Sequence, residues 1–173
     1  LFGSVLGPGL HADSDLDLAV ERRRLAARID RLAGLAERWQ REGADAQRVD
    51  AAALRLQSCC TSVERCLLQI VRLLNGGTPE GADWHSRLLD SLALATEHRP
   101  ALLSSDTARA LGLLLGFRHV VRHLYADDLD PAQVQQRLSG ALMLWPQLCA
   151  DLQAFDHWLQ ELIALAESDH PSG

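Results

Sequence analysis

The sequence predicts an all-α protein, a bundle of four or five helices. Leu, Ala and Arg dominate the 173-residue chain while β-branched residues are sparse, a mix that favours helix. Apolar residues recur at three- and four-residue steps over long stretches. Short clusters of Gly, Pro, Asn and Asp, which stop and start helices, separate those stretches.

Residues 1–20 stand apart from this pattern. Gly3, Gly7, Pro8 and Gly9 precede a polar–apolar alternation, Asp15-Leu16-Asp17-Leu18-Ala19-Val20, which reads as two short strands or loops around a turn. From Glu21 to Glu42 the period is helical, with Leu25, Ile29, Leu32 and Leu35/Ala36 inside and Gly43 as the stop. A second helix is expected from about Asp45 to Leu74, its inner face formed by Leu56, Val63, Leu67, Ile70, Val71 and Leu74. Asn75-Gly76-Gly77-Thr78-Pro79 ends it. A third starts at Ala82 or Asp83, with Asp83 as N-cap, and stops before Arg99-Pro100. A fourth follows the capping cluster Ser104-Ser105-Asp106 and runs to about Tyr125. Asp130-Pro131 opens a fifth, which extends towards Glu167 with a kink or break expected at Pro146. The domain reading is an N-terminal appendage over 1–20, a helical domain over 21–168 and a tail over 169–173.

The net charge is -6, and Arg alone supplies the positive charge because the chain has no Lys. That balance argues against non-specific coating of nucleic acid, which needs many phosphate contacts, but allows a local basic site. Arg is the better residue for a bidentate grip on phosphate. Cys59, Cys60, Cys66 and Cys149 contain no C-x-x-C pair, so reduced, mostly buried thiols are expected rather than a zinc site. The apolar run Ala110–Phe117 is far short of the ~20 residues a membrane span needs. No secretory signal pattern is visible, and a cytoplasmic protein without membrane partners is expected. The chain opens on Leu1 rather than Met, which leaves its natural start undefined.

The stretch with most chemistry is Gly116-Phe117-Arg118-His119-Val120-Val121-Arg122-His123-Leu124-Tyr125, which holds the only Tyr of the chain. With Arg118 at zero and about 100° per residue, Tyr125 falls near -20°, Arg122 near 40°, His119 near 100° and His123 near 140°. Leu113, Leu114, Phe117, Val120, Val121 and Leu124 occupy roughly 200° to 320° of the same wheel. The polar arc reads either as a solvated face or as a site that holds phosphate and moves protons. His119 and His123 are also an i, i+4 pair, but no third metal ligand is evident.

Arg118-x4-His123-x-Tyr125 matches the R-x4-H-x-Y motif of HepT-like HEPN toxins, and the chain resembles that family. His119 fills the slot after the Arg in which Asn, Asp or His is frequent. The loop Asn75–His85 looks like the one that opens the third helix in one HepT-like subgroup, and Gly116-Phe117-Arg118-His119 is similar to a phrase found there. The resemblance covers about residues 22–165. It implies a HEPN-type bundle and a toxin–antitoxin endoribonuclease that cleaves RNA without a metal ion or other cofactor. His123 would then do acid–base work and Arg118 would hold the scissile phosphate, with His119 and Arg122 in support.

The resemblance further implies a homodimer that joins two motifs in one cleft. Leu111 and Leu115 fall near 20° and 60°, on the polar side of the wheel. Packing across such an interface and cover by another helix of the same chain are equally open for them. Tyr125 is the residue that a nucleotidyltransferase antitoxin partner would adenylylate; a buried Tyr with a bonded hydroxyl is the competing reading.

Residues Gly3-Ser4 and Asp15-x-Asp17 read as G-S-x10-D-x-D, which resembles the minimal nucleotidyltransferase signature. In that family Gly-Ser contacts nucleotide phosphates and the two carboxylates hold Mg²⁺. The rest of that fold does not follow, and Val5 replaces the usual Arg, so the segment reads as an inactive remnant. The competing functions are a non-catalytic helical module that binds a nucleotidyltransferase partner or nucleotide, and an active nucleotidyltransferase with a helical substrate domain.

Overall fold

The computed structural model describes the backbone of residues 12–74, 77, 80–81, 83–123 and 129–168, and the side chains of these except 12–19, 117–123 and 166–168. Among the described residues the chain forms five helices and no strand: α1 (Ala12–Glu42), α2 (Ala46–Leu73), α3 (Trp84–Ala93), α4 (Ser105–His123) and α5 (Pro131–Ser168). The all-α bundle expected from periodicity is what forms, and it is consistent with the HEPN-type bundle that the resemblance implies.

The main departure is at the N-terminus. The stretch Asp15–Val20, expected as strand or loop, is the first part of α1. The Asp/Leu alternation suits a strand only where a second strand pairs with it, and none exists among the described residues. A lone strand leaves its N–H and C=O groups unmatched, whereas a helix bonds them internally. Positions 15 and 17, two apart on a helix, do not face each other, so the backbone does not give Asp15 and Asp17 the geometry of paired ligands. Gly3 and Ser4 lie outside the described residues.

The helix ends follow local chemistry. Gly43 takes the left-handed conformation (φ 78°), and its N–H donates to Trp39 O at 2.9 Å, closing α1. Asp45 caps α2, its Oδ1 accepting from Arg48 N at 2.7 Å. Asp83 stands at the N-cap of α3 without a side-chain cap bond. α3 also stops at Ala93, earlier than expected. Leu102 N and Leu103 N both donate to Leu92 O (2.8 and 3.1 Å), so the returning chain satisfies the end of the helix. Ser104 Oγ accepts from Thr107 N to start α4, and Asp130 Oδ1 accepts from Ala132 N to start α5. α5 continues through Pro146 without a break.

α1 packs most extensively on α2. α5 covers α1, α2 and α4, while α3 lies against α4 and touches α2. The core runs from Leu25, Leu32 and Trp39 through Leu56, Leu67 and Ile70 to Leu138, Leu148 and Phe155. Polar ties cross it: Arg28 donates to Ser58 O (2.8 Å) and to Ser62 Oγ, Arg22 pairs with Asp156, and Ser104 N donates to Asp151 Oδ2 (2.9 Å). All four cysteines are free thiols; Cys59, Cys60 and Cys66 are buried and Cys149 is half-buried. Among the described residues no helix is long and apolar enough to cross a membrane.

Candidate functional site

α4 carries positions 118–123 of the titratable motif, and the side chains described along it fix how its earlier turns face. Thr107, Leu111, Leu114 and Leu115 are buried, whereas Asp106, Arg109, Gly112, Leu113 and Gly116 are exposed. This rotates the facing suggested by the wheel, keeping Leu114 inside. Leu113, on its apolar side, is 64% exposed, while Leu111 and Leu115, on its polar side, are 0% and 3% exposed within a single chain. Their cover comes from the chain's own helices, so neither is available for a two-fold interface.

The reason lies in neighbours that a single-helix wheel omits. α4 is enclosed by α3, α5 and α2, and the seam facing them is set at its N-terminus, where Ser104 is tied to α5 through Asp151. Seven residues is close to two turns, so positions 118 and 122 share the helical register of Leu111 and Leu115, and positions 119 and 123 that of Gly112 and Gly116. The backbone is helical at all four positions. The side chains of Arg118, His119, Arg122 and His123, and the whole of Tyr125, lie outside the described residues.

A groove between α3 and α4 reaches as far as Gly116 among the described residues. One cavity of about 200 Å³ is lined by Asp83, His85, Ser86, Leu89, Gly112, Leu115 and Gly116. A second, of about 360 Å³, shares Ser86, Leu89 and Gly112 and adds Asp90, Ser105 and Arg109. Gly112 and Gly116 line the groove on the α4 side, where there is room to spare: an added Cβ would make ordinary contact with Leu89 Cδ1 at 3.8 Å at Gly112, and meet nothing within 4 Å at Gly116.

On the far wall, His85 Nε2 and Glu64 Oε1 are 2.7 Å apart. The His85 ring lies against Trp84, with centroids 3.6 Å apart and planes inclined by 31°. The sequence reading missed Glu64 altogether and quoted His85 only within a loop. A signal was present, because Glu64 falls among Cys60, Val63, Leu67 and Val71, all on the inner face of α2. A carboxylate in an apolar stripe needs a buried partner. Among the described residues no three His, Cys, Asp or Glu side chains gather as a metal site would require.

A family model described as HepT-like protein matches residues 51–159, more than half of the chain. The chain belongs to the HepT-like family. The matched span of this HepT-like chain includes α3 and α4 whole, most of α2 and α5, and every residue of the R-x4-H-x-Y run together with Glu64 and His85. It leaves α1 and the Gly-Ser/Asp-x-Asp segment outside, so the family match does not extend to a nucleotidyltransferase remnant. No curated protein and no solved structure matches the chain.

Proposed function

We propose that this HepT-like chain is a HEPN endoribonuclease of a toxin–antitoxin pair, acting through Arg118 and His123. The observation that supports the reading is the R-x4-H-x-Y run itself, which falls whole inside the family-matched span, with positions 118–123 on the helical backbone of α4 that follows the groove-lining Gly112, Leu115 and Gly116.

In this reading the ribose 2′-oxygen attacks the adjacent phosphorus and the bond from phosphorus to the 5′-oxygen breaks. The 2′-hydroxyl loses a proton, the 5′-oxygen gains one, and a 2′,3′-cyclic phosphate and a 5′-hydroxyl result. No metal ion enters the scheme. Arg118, always charged and fork-shaped, holds the phosphate as its charge builds. His123 exchanges protons near neutral pH. His119 and Arg122 assist in binding RNA. A homodimer brings two motifs to one cleft, formed through surfaces other than Leu111 and Leu115. A nucleotidyltransferase antitoxin silences the enzyme by adding a nucleotide to Tyr125, which blocks the cleft by bulk and charge.

The test is incubation of purified protein with RNA in EDTA, followed by analysis of the product ends. Fragments ending in 2′,3′-cyclic phosphate support the reading. RNA left intact by pure protein overturns it and favours a non-catalytic module.

A further inference from the structure

We propose that the seam between α1 and α2 is a docking surface for the phosphate backbone of single-stranded RNA, with Arg28, Arg31, Arg38 and Arg55 as its contacts. The choice of RNA rests on the nuclease reading. The surface itself rests on charge and geometry and uses none of the motif residues.

The charge of the chain is unevenly spread. Residues 21–72 hold eleven of the 17 Arg against seven Asp and Glu, while the rest of the chain holds six Arg against sixteen. The α1/α2 hairpin is therefore net positive in a protein of net charge -6. Register concentrates that charge. Arg24, Arg31 and Arg38 are seven apart, nearly two turns, so they share one line of α1 at a rise of about 10 Å per step. Arg48 and Arg55 share a line of α2 in the same way.

Contacts between the helices bring these lines together. Arg28 Nη1 donates across to Ser58 O (2.8 Å) and to Ser62 Oγ, and Arg55 Nη1 donates back to Arg31 O (3.1 Å). These bonds hold the Arg28 and Arg55 guanidinium groups on the seam and use only Nη1 of a five-donor group. Ordering them in advance lowers the entropy cost of binding. Arg31 and Arg38 are exposed, and neither side chain has a hydrogen-bond or ion-pair partner among the described residues. The acids keep clear of this stretch. Glu21 is taken up by Arg24 (2.6 Å), and Glu42 and Asp45 by Arg48 (2.6 and 3.3 Å), at the two ends of the seam. Asp30 and Glu37 lie about 160° and 180° round α1 from Arg28, and Asp50 about 140° round α2 from Arg55. A row of like charges repels itself, and a bound polyanion relieves that repulsion. Arg suits the task because its fork grips a phosphate through two N–H groups at once.

The experiment measures binding of a 2′-O-methyl single-stranded RNA by fluorescence anisotropy over a salt series. It compares wild type, Arg31→Ala/Arg38→Ala and Arg65→Ala/Arg72→Ala, with thermal unfolding as a control. The last pair removes the same charge about 80° and 100° round α2 from Arg55. The seam pair is expected to weaken binding about 10-fold near 0.1 M salt and to reduce the slope of log K on log salt by about 1.4, at about 0.7 per lost phosphate contact. The other pair is expected to change affinity by less than about 2-fold. In single-turnover cleavage the seam pair should raise the protein concentration needed for half-maximal rate and keep the maximal rate. Wild-type affinity and slope in the folded seam variant overturn the proposal, and so do equal losses in the two pairs. Seam-dependent binding of phosphatidylserine vesicles without binding of RNA also overturns it, and would make the surface a membrane contact. Seam-dependent RNA binding without any cleavage overturns the nuclease reading and leaves the surface standing. Cleavage with binding that ignores the seam does the reverse.

Discussion

Leu111 is sealed inside the bundle while Leu113, two positions along the same helix, is 64% exposed. That contrast sets the facing of α4 and therefore the lines on which positions 118, 119, 122 and 123 fall. It gives a direct stability prediction. Leu111→Ala should cost about 2–5 kcal/mol by opening a cavity in a packed site, whereas Leu113→Ala should leave the urea midpoint nearly unchanged. Equal losses in the two variants would mean that α4 is turned otherwise.

The caps make a second prediction. Ser104 Oγ accepts from Thr107 N (3.2 Å), and Ser104 N reaches Asp151 Oδ2 (2.9 Å), so this residue both starts α4 and ties it to α5. Ser104→Ala removes the first of these together with the 2.8 Å bond between Ser104 Oγ and Thr107 Oγ1, keeps the second, and should cost at least about 1 kcal/mol in urea unfolding. A change within error would show that the cap bond is not used.

The thiols make a third. Burial pushes the Cys59 and Cys66 thiols up to about 11 from an ordinary 9.0, and the nearby Arg28 guanidinium only partly offsets this at Cys59. The unfolded chain releases those protons first, so stability should be fully present below pH 9 and fall as pH rises towards about 11. Urea midpoints across that range check the sign. In the native protein near pH 8, Cys59 and Cys66 should also resist a thiol reagent that labels them readily once urea is added.

Most of the fold is legible in the sequence because each boundary has its own local cause: Gly43, Asp45, Ser104 and Asp130-Pro131 act within a turn of themselves. Three features are legible only in three dimensions. The alternation around Asp15 and Asp17 suits strand and helix alike, and a partner strand decides between them. The facing of α4 is ambiguous because leucines surround much of its wheel, so neighbouring helices decide which of them are covered. The Arg118/His123 spacing is visible as a motif. The Glu64–His85 pair is not, since its members lie 21 residues apart on different helices.

Tyr125 supplies a fourth prediction, tied to the proposed partner. Incubation with ATP and the cognate nucleotidyltransferase should add one nucleotide per protomer, detected by mass, and suppress RNA cleavage. Tyr125→Phe should block the addition. Equal labelling of the Phe variant would place the modified residue elsewhere.

The central claim is that Arg118 and His123 act together on one RNA linkage. It is tested most directly by single-turnover cleavage of RNA in EDTA by wild type, Arg118→Ala and His123→Ala, each checked for an unchanged unfolding midpoint. Both variants should lose about 100-fold or more in rate. Cleavage at the wild-type rate by either folded variant would contradict it.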